Sequence, residues 1–271
     1  MPELPEVETT VNGIKPWLEN KRIKIIKIHN NSLRWKIPDD LVNKYLSQKI
    51  TSITRRGKYI LVHLESQATL LLHLGMSGSL TIVTKSKSLE KHDHFEIIMD
   101  DDTTLRFNDP RRFGCVLDSD DYLNHKLIKN LGPEPLTNEF SANYLKIKAK
   151  NKTQAIKNFI MDGKIVVGVG NIYASEALFM AGIHPNKAAG SVSLHKYKNL
   201  VEKIKHVLAN AIKAGGTTLK DFINADGKPG YFAQELLVYG RKDQPCLKCS
   251  QPISQITIGQ RSSFYCKKCQ N

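Results

Sequence analysis

The sequence predicts an α+β protein with an N-terminal antiparallel β-sandwich flanked by helices, a helical region, and a C-terminal hairpin. Short segments of alternating apolar and polar residues fill the first half of the chain, and this period of two is typical of half-buried strands. After residue 141 the apolar residues recur with a helical period instead. Four of the five cysteines follow residue 245 as two C-x2-C pairs, a spacing that indicates the knuckles of a small hairpin.

The first predicted element is a helix from Pro5 to about Asn20. Proline suits the first helical position because it has no N–H to leave unpaired, and Glu6 and Glu8 follow where the helix dipole favours negative charge. Many short strands at close spacing then fit an antiparallel sandwich or barrel. The predicted strands are 22–28, 59–64, 69–74, 79–83, 94–99 and 104–108.

A segment with two prolines and a glycine, 131–136, has the composition of a linker. We therefore predict an N-terminal domain of 1–131, a linker of 132–140, a helical domain of 141–236 and a C-terminal hairpin domain of 237–271. The predicted helices are 141–149, 152–162, 172–181 and 194–214.

The chain carries 40 Lys and Arg against 26 Asp and Glu, a formal net charge of +14. Such a surplus attracts polyanions, although a lysine-rich surface with no nucleic-acid partner gives the same count. No apolar run reaches the roughly 20 residues that a membrane-spanning helix needs, and the N-terminal segment is acidic, without the apolar core of a signal peptide. We expect a cytoplasmic protein that does not associate with membranes.

The paired cysteines predict one zinc site formed by Cys246, Cys249, Cys266 and Cys269. In a reducing cytosol, such spacing favours metal over disulfides. Four thiolates complete a tetrahedral zinc site and leave no position for a reactive water, so we expect the ion to be structural. The surrounding basic residues favour a contact with phosphate, and the alternative is a clip that only stabilises the tail.

The N-terminus offers a candidate nucleophile. Removal of Met1 would expose the secondary amine of Pro2, which can attack a sugar carbon and form an iminium. Glu3 lies beside it as a candidate general acid and base, and Glu6, one helical turn on, is placed to order a water or hold the amine. The alternative interpretation is that this segment is only the capped start of a helix.

Several motifs, in order along the chain, resemble those of bacterial formamidopyrimidine-DNA glycosylases, which excise 8-oxoguanine and cleave abasic sites. They cover essentially the whole chain: PELPEVE at 2–8, RGKY at 56–59, HLGMSG at 73–78, NDPRRFG at 108–114, GVGNIYA at 168–174, and VYGR at 238–241 before the cysteines. The resemblance implies a helix–two-turn–helix in the helical domain, a zinc finger, and a lid over the flipped base at 217–231.

The resemblance also implies roles for individual residues. Pro2 is the expected nucleophile and Glu3 the general acid and base, while Lys58 grips phosphates near the lesion and assists catalysis. Met76, Arg111 and Phe113 fill the space that the flipped base leaves, which suits a slim apolar chain, an arginine and an aromatic wedge. Without this context, a strand histidine such as His73 belongs to a core, and 111–113 to a solvated turn. The further predicted DNA-binding residues are His73, Lys164, Asn171, Tyr239 and Arg261.

The resemblance predicts an enzyme that removes oxidised purines from double-stranded DNA through a Schiff base at Pro2, followed by β- and δ-elimination, and acts as a monomer. Two alternatives stay open: an endonuclease VIII-type glycosylase for oxidised pyrimidines, and a non-enzymatic zinc-ribbon DNA-binding protein. Leu4, Met76, Arg111 and Phe113 favour the purine enzyme over its pyrimidine-specific relatives.

Overall fold

The computed structural model describes residues 2–83, 88–217 and 236–271. The chain divides into two compact units, one formed by Met1–Lys129 with Ala214–Tyr231 and the other by Asn130–Lys213 with Phe232–Asn271. The domain ranges from the sequence stay predictions, and this division differs from them in grouping Ala214–Tyr231 with the first unit.

The first unit contains two four-stranded antiparallel sheets, in the strand orders β1-β6-β7-β5 and β2-β3-β4-β8. One apolar core joins residues of both sheets with the buried face of α1, as expected for the predicted α+β sandwich. The elements are α1 (Leu4–Leu18), β1 (Ile23–Ile28), α2 (Leu41–Tyr45), β2 (Ile50–Arg56), β3 (Tyr59–Leu64), β4 (Thr69–His73), β5 (Ser79–Val83), β6 (Asp93–Met99), β7 (Thr104–Asn108) and β8 (Cys115–Ser119).

The second unit contains four α-helices, a 3-10 turn at Ala189–Ser191 and a two-stranded hairpin within the described residues. The side chain of Ser141 accepts a hydrogen bond from the Tyr144 N–H at 3.2 Å, which caps the first of these helices. The helices and strands are α3 (Ala142–Lys148), α4 (Ile156–Met161), α5 (Asn171–Met180), α6 (Leu194–Lys213), β9 (Ser254–Ile258) and β10 (Arg261–Tyr265).

Helix α4 begins later than the predicted residue 152. Ala155 is extended and forms an isolated bridge with Ala188, and the Ile156 N–H donates to the Lys187 carbonyl at 2.7 Å. These bonds to a distant segment replace the intrahelical bonds that a longer helix would form.

The predicted C-terminal hairpin is antiparallel, with Arg261 opposite Ile258 beside the turn at Gly259 and Gln260. A Cβ on Gly259 would lie 2.5 Å from the Asn158 amide nitrogen, so the hairpin turn packs closely on helix α4. Among the described residues, no helix combines the length and the apolar character that a membrane span requires.

Candidate DNA-binding surfaces and metal centre

The start of helix α1 is buried, and its acidic side chains have defined partners. Pro2 is buried, and Glu3 and Glu6 are 2% and 3% exposed. One carboxylate oxygen of Glu6 accepts from the Glu3 N–H at 2.8 Å, and the other accepts from the Thr217 N–H at 2.8 Å. Glu6 therefore fixes the first turn of α1 to the segment around Thr217. The predicted lid at 217–231 lies, apart from Thr217, outside the described residues.

An open cavity of about 660 Å³ lies in the first unit, where strand β4 ends. Its walls include His73, Met76, Arg111 and Phe113, four of the residues predicted to bind DNA. Arg34, which the sequence did not single out, lines the same cavity. The structure thus brings together side chains that are as far apart along the chain as Arg34 and Phe113.

The two loops that carry Met76 and Phe113 are held together by a buried carboxylate. Asp109 is fully buried and accepts from the Ser77 hydroxyl at 2.7 Å and from the Gly114 N–H at 2.8 Å. Gly75 has a φ of +62°, and a Cβ there would lie 2.4 Å from the Gly114 nitrogen. Because only glycine permits this backbone approach, the loops form a single close-packed platform.

Arg111 and Phe113 project from this platform. The Arg111 guanidinium carbon lies 5.1 Å from the centre of the Phe113 ring, within the range of a cation–π contact. Phe113 is 45% exposed although it is a large aromatic residue. An exposed ring beside an arginine is suited to enter a base stack while the arginine binds an unpaired base.

His73 lies at the end of β4, where its ring contacts Tyr59 at 4.9 Å between ring centroids. Burial, with the nearby positive charges of Lys58 and Arg34, lowers the pKa of His73 to about 4. Its Nδ1 accepts from the Gly75 N–H at 2.9 Å. The neutral ring therefore carries its proton on Nε2, so His73 is a hydrogen-bond donor without charge at neutral pH.

Two neighbours of His73 complete this region. Lys58 is half-buried in the turn between β2 and β3, beside Tyr59. Cys115 pairs with His73 across β4 and β8, and burial raises the pKa of its thiol to about 12. Cys115 therefore behaves as a small apolar residue.

A second cluster lies in the second unit, where α5 meets the hairpin. The Asn171 amide nitrogen donates to the Ser262 carbonyl at 3.1 Å and lies 3.4 Å from the Tyr239 hydroxyl. Gly170 is the N-cap of α5, and Asn171 is its first helical residue. Its side chain joins the helix to Tyr239 and strand β10.

Lys157, which the sequence analysis did not identify, is fully buried at the centre of this cluster. Its Nζ donates to the Asn171 side-chain oxygen at 2.6 Å, the Ser262 carbonyl at 3.0 Å and the Ser263 hydroxyl at 2.7 Å. A buried ammonium needs such partners because loss of its hydration is costly. Lys157 therefore fixes α4, α5 and β10 in one arrangement.

Glu176, further along α5, also holds separate segments together through hydrogen bonds. It is 1% exposed and accepts from the N–H groups of Leu237, Val238 and Tyr239 at 2.8–3.0 Å. Burial raises the pKa of its carboxyl group above the ordinary value. These three bonds hold the segment that carries Tyr239 against the helix.

The four paired cysteines converge at one point. One sulfur from each lies within 4.8 Å of all the others, with 3.9 Å between Cys246 and Cys269 and 3.5 Å between Cys249 and Cys266. Tetrahedral zinc with Zn–S bonds of about 2.3 Å requires sulfurs roughly 3.8 Å apart, so the residues fit the ion. Four thiolates complete its coordination, which makes this a structural zinc site.

Comparisons with known proteins agree with these features. Residues 1–116 match the formamidopyrimidine-DNA glycosylase N-terminal domain, residues 131–223 its H2TH domain, and residues 243–271 the zinc finger found in FPG and IleRS. The chain is 53% identical to the formamidopyrimidine-DNA glycosylase of Photobacterium profundum and 51% identical to that of Haemophilus influenzae. These alignments cover all of this chain, with 100% and 99% of the two relatives.

The chain belongs to the formamidopyrimidine-DNA glycosylase family.

Solved structures of formamidopyrimidine-DNA glycosylases share the fold over nearly the full chain. The MutM (Fpg) protein from Thermus thermophilus is 33% identical with a TM-score of 0.89, and the alignment covers 99% of this chain and 98% of that one. A Lactococcus lactis Fpg mutant in complex with Fapy-dG DNA is 31% identical with a TM-score of 0.92, over 99% of both chains.

Two predicted contact residues of this glycosylase-family chain lie apart from the clusters. The Lys164 side chain is exposed. The backbone of its turn packs closely on Gly132, because a Cβ added at Gly132 would lie 2.8 Å from the Lys164 carbonyl oxygen. Arg261 is exposed at the first position of β10. Both positions suit phosphate contacts, and both roles stay predictions.

Three residues of these clusters were not identified from the sequence, and the reason differs for each. Asp109 lies inside the NDPRRFG motif, directly after strand β7, but the motif alone does not show which residues its carboxylate binds. Lys157 lies among apolar residues on a short helix, and neither periodicity nor charge distinguishes it from a surface lysine. Arg34 stands in an irregular segment after β1, and only the folded loop shows that it lines the cavity.

Proposed function

We propose that this protein excises oxidised purines from double-stranded DNA and then cleaves the resulting abasic site, with Pro2 as the nucleophile. The observation that carries the proposal is the cavity where His73, Met76 and Arg111 converge with the exposed ring of Phe113. Relatives at about half identity are named formamidopyrimidine-DNA glycosylase. Solved Lactococcus lactis Fpg complexes contain Fapy-dG DNA and abasic-site DNA.

The first chemical step exchanges one carbon–nitrogen bond for another. Once Met1 is removed, the lone pair of the Pro2 nitrogen forms a bond to C1′ of the deoxyribose. The glycosidic bond breaks, and its electron pair leaves with the purine, which is protonated. Opening of the sugar ring, with a proton delivered to O4′ by Glu3, gives the iminium between Pro2 and C1′.

The iminium then permits both strand cleavages. It acidifies the C2′ protons, and loss of one proton expels the 3′ phosphate by β-elimination. A second proton loss expels the 5′ phosphate by δ-elimination, and water hydrolyses the iminium to release the sugar fragment. Lys58 holds phosphate near this centre, while Glu6 keeps the first turn of α1 in place through the Glu3 and Thr217 N–H groups.

Removal of the base from the duplex is assigned to the platform in the first unit. Phe113 and Met76 enter the stack, and Arg111 donates to the base that has lost its partner. Unstacking a damaged pair costs a few kcal/mol, which the contacts of this platform offset. The zinc hairpin, with Asn171, Tyr239 and Arg261, is assigned to the DNA backbone.

Borohydride trapping tests the proposal. Reduction of the iminium should give a covalent protein–DNA adduct with a duplex that holds 8-oxoguanine opposite cytosine. The Pro2→Gly variant should lose at least about 100-fold in trapped product, the scale of an activated nucleophile. Pro5→Ala is the matched control. It replaces a proline within helix α1 and leaves the Pro2 amine intact, so the amount of trapped adduct should stay as in the wild-type protein.

Two outcomes would contradict the proposal. Normal strand cleavage by protein whose mass shows Met1 still attached would exclude Pro2 as the nucleophile. Binding without any adduct would indicate a DNA-binding protein with no lyase activity. Faster excision of thymine glycol than of 8-oxoguanine would instead favour the oxidised-pyrimidine alternative.

A further inference from the structure

The segment after β1, residues 32–34, also lines the cavity and brings Arg34 to it, in addition to the loops that carry Met76 and Phe113. The Arg34 N–H donates to the Gly114 carbonyl at 3.2 Å, which ties this segment to the loop that carries Phe113. The buried side chain of Leu33 anchors the segment in the core, and Arg34 itself is exposed. The position of Arg34 beside the cavity is thus fixed by its backbone, while its side chain faces solvent.

The guanidinium group of Arg34 is oriented without being neutralised. Its central carbon lies 4.8 Å from the centre of the Trp35 ring, and such stacking leaves the N–H edges of the planar group available. No carboxylate pairs with Arg34 anywhere in residues 2–83, 88–217 and 236–271. Lys36, two residues further on, is different because it pairs with Asp39 at 2.6 Å.

The chemistry of His73 shows why a second cation is needed here. As a neutral ring with its proton on Nε2, His73 donates one hydrogen bond but supplies no charge. A phosphate at this wall of the cavity must therefore be balanced by neighbouring cations. Lys58 and Arg34 are both close enough to His73 for their positive charges to lower its pKa.

We propose that Arg34 binds a backbone phosphate of the DNA substrate beside His73 and Lys58, so that residues 32–34 form a third DNA-contact segment next to the Met76 and Phe113 loops. The proposal rests on the proposed function only in taking DNA as the ligand. The planar guanidinium group matches two phosphate oxygens, and its stack on Trp35 reduces the ordering needed on binding.

The salt dependence of binding measures this contact. We choose a duplex with a tetrahydrofuran abasic analogue opposite cytosine, which has no glycosidic bond to a base. Each neutralised phosphate contributes about 0.9 to the slope of log K against log salt. The Arg34→Gln variant should lower the slope by about that amount and weaken binding about 3- to 10-fold near 0.1 M salt.

Three further variants serve as controls. Lys36→Gln, on the same segment, should leave the slope unchanged because this cation already pairs with Asp39. Arg34→Lys should keep the slope, since the charge stays, but bind more weakly because the stacked fork is lost. His73→Asn should weaken binding without changing the slope, because the neutral ring displaces no counterion.

An unchanged salt slope in Arg34→Gln would overturn the proposal. An equal fall of the slope in Lys36→Gln would also overturn it, because it would show that only the overall positive charge of the protein matters. A change in opposite-base preference at constant slope would assign Arg34 to base contact instead. If the wild-type protein binds with an Arg34-dependent slope but releases no oxidised base, the proposed function fails and this inference stands. If it binds no duplex, both fail.

Discussion

At the scale of a single residue, His73 combines hydrogen bonding with the absence of charge. Its neighbours Lys58 and Arg34 add positive charge to an environment that already disfavours protonation through burial. The same features that make the ring a neutral donor also link the stability of the first unit to pH.

We expect the stability that His73 contributes to be complete above pH 6.5 and to be lost as the pH falls toward about 4. Its pKa is about 4 in the folded protein against an ordinary 6.5, so the unfolded chain binds the extra proton in that interval. The loss should be of the order of 2 kcal/mol, measured by denaturant unfolding from about pH 7 to about pH 5.

The control for this experiment is a histidine on the surface. His73→Gln should flatten the fall in unfolding free energy, while His195→Gln, at an exposed position on α6, should leave it unchanged. An identical pH dependence in wild type and His73→Gln would show that the ring is not held neutral.

The residues of the site were predictable in so far as their motifs fixed their chemical roles. His73, Met76, Arg111 and Phe113 were predicted from local motifs, and the fold places them on one cavity. The residues that position them were less accessible. Asp109 acts through two hydrogen bonds to residues thirty-two and five positions away, and such distant pairing leaves no local pattern.

At the scale of elements, Lys157 joins helix α4 to helix α5 nearby and to strand β10, which lies more than a hundred residues away in the sequence. Its hydrogen bonds reach α5 and β10 from α4. The zinc hairpin therefore depends on a buried cation for its position as well as on its metal.

We expect Lys157→Met to lower the free energy of unfolding by about 2–4 kcal/mol, because it removes three hydrogen bonds from the interior of this cluster. DNA affinity should also fall, since Asn171 and β10 lose their common support. The salt slope should not change, because a buried ammonium displaces no counterion. Lys150→Met, at an exposed position, is the matched control in calorimetry and binding.

Either of two results would contradict this role. A Lys157→Met protein as stable as the Lys150→Met protein would show that the buried ammonium is not a structural bridge. A reduced salt slope would mean that Lys157 contacts phosphate directly.

Sequence periodicity identified most elements and failed where tertiary pairing replaces a regular pattern. Strand β2 was not predicted because Ile50 and Ile53 are both buried at a spacing of three, across a register shift between Ile50 and Ser52. Such a bulge breaks the alternation on which strand prediction depends. Helix α2 has only five residues, too few for a helical period to show. Strand β8 was missed because two adjacent buried residues are followed by three half-buried ones, so its burial does not alternate.

At the scale of the whole molecule, a net charge of +14 and the zinc hairpin both favour binding to a polyanion. The zinc site was fully predicted because its ligands are local pairs whose spacing has a direct geometric meaning. The monomeric state and the cytoplasmic location were inferred from composition and resemblance, and both stay predictions.

We expect Cys246→Ser to lose zinc and to bind abasic-site duplexes at least about tenfold more weakly, because the hairpin that carries Arg261 loses its anchor. Metal analysis and fluorescence binding measure the two effects. Cys115→Ala should keep both zinc and affinity, because Cys115 lies in the first unit, outside the cluster of four sulfurs. Full affinity in Cys246→Ser would exclude the hairpin from DNA contact.

The burial of Cys115 has a practical consequence for thiol chemistry on this protein. With a pKa of about 12 and almost no accessible surface, this sulfur holds its proton and is shielded from alkylating reagents and peroxides. Reactive sulfurs in the native state are then those of the metal centre alone. Titration with a chromogenic disulfide thus reports metal loss directly, and Cys115 joins the count only when the sandwich itself opens.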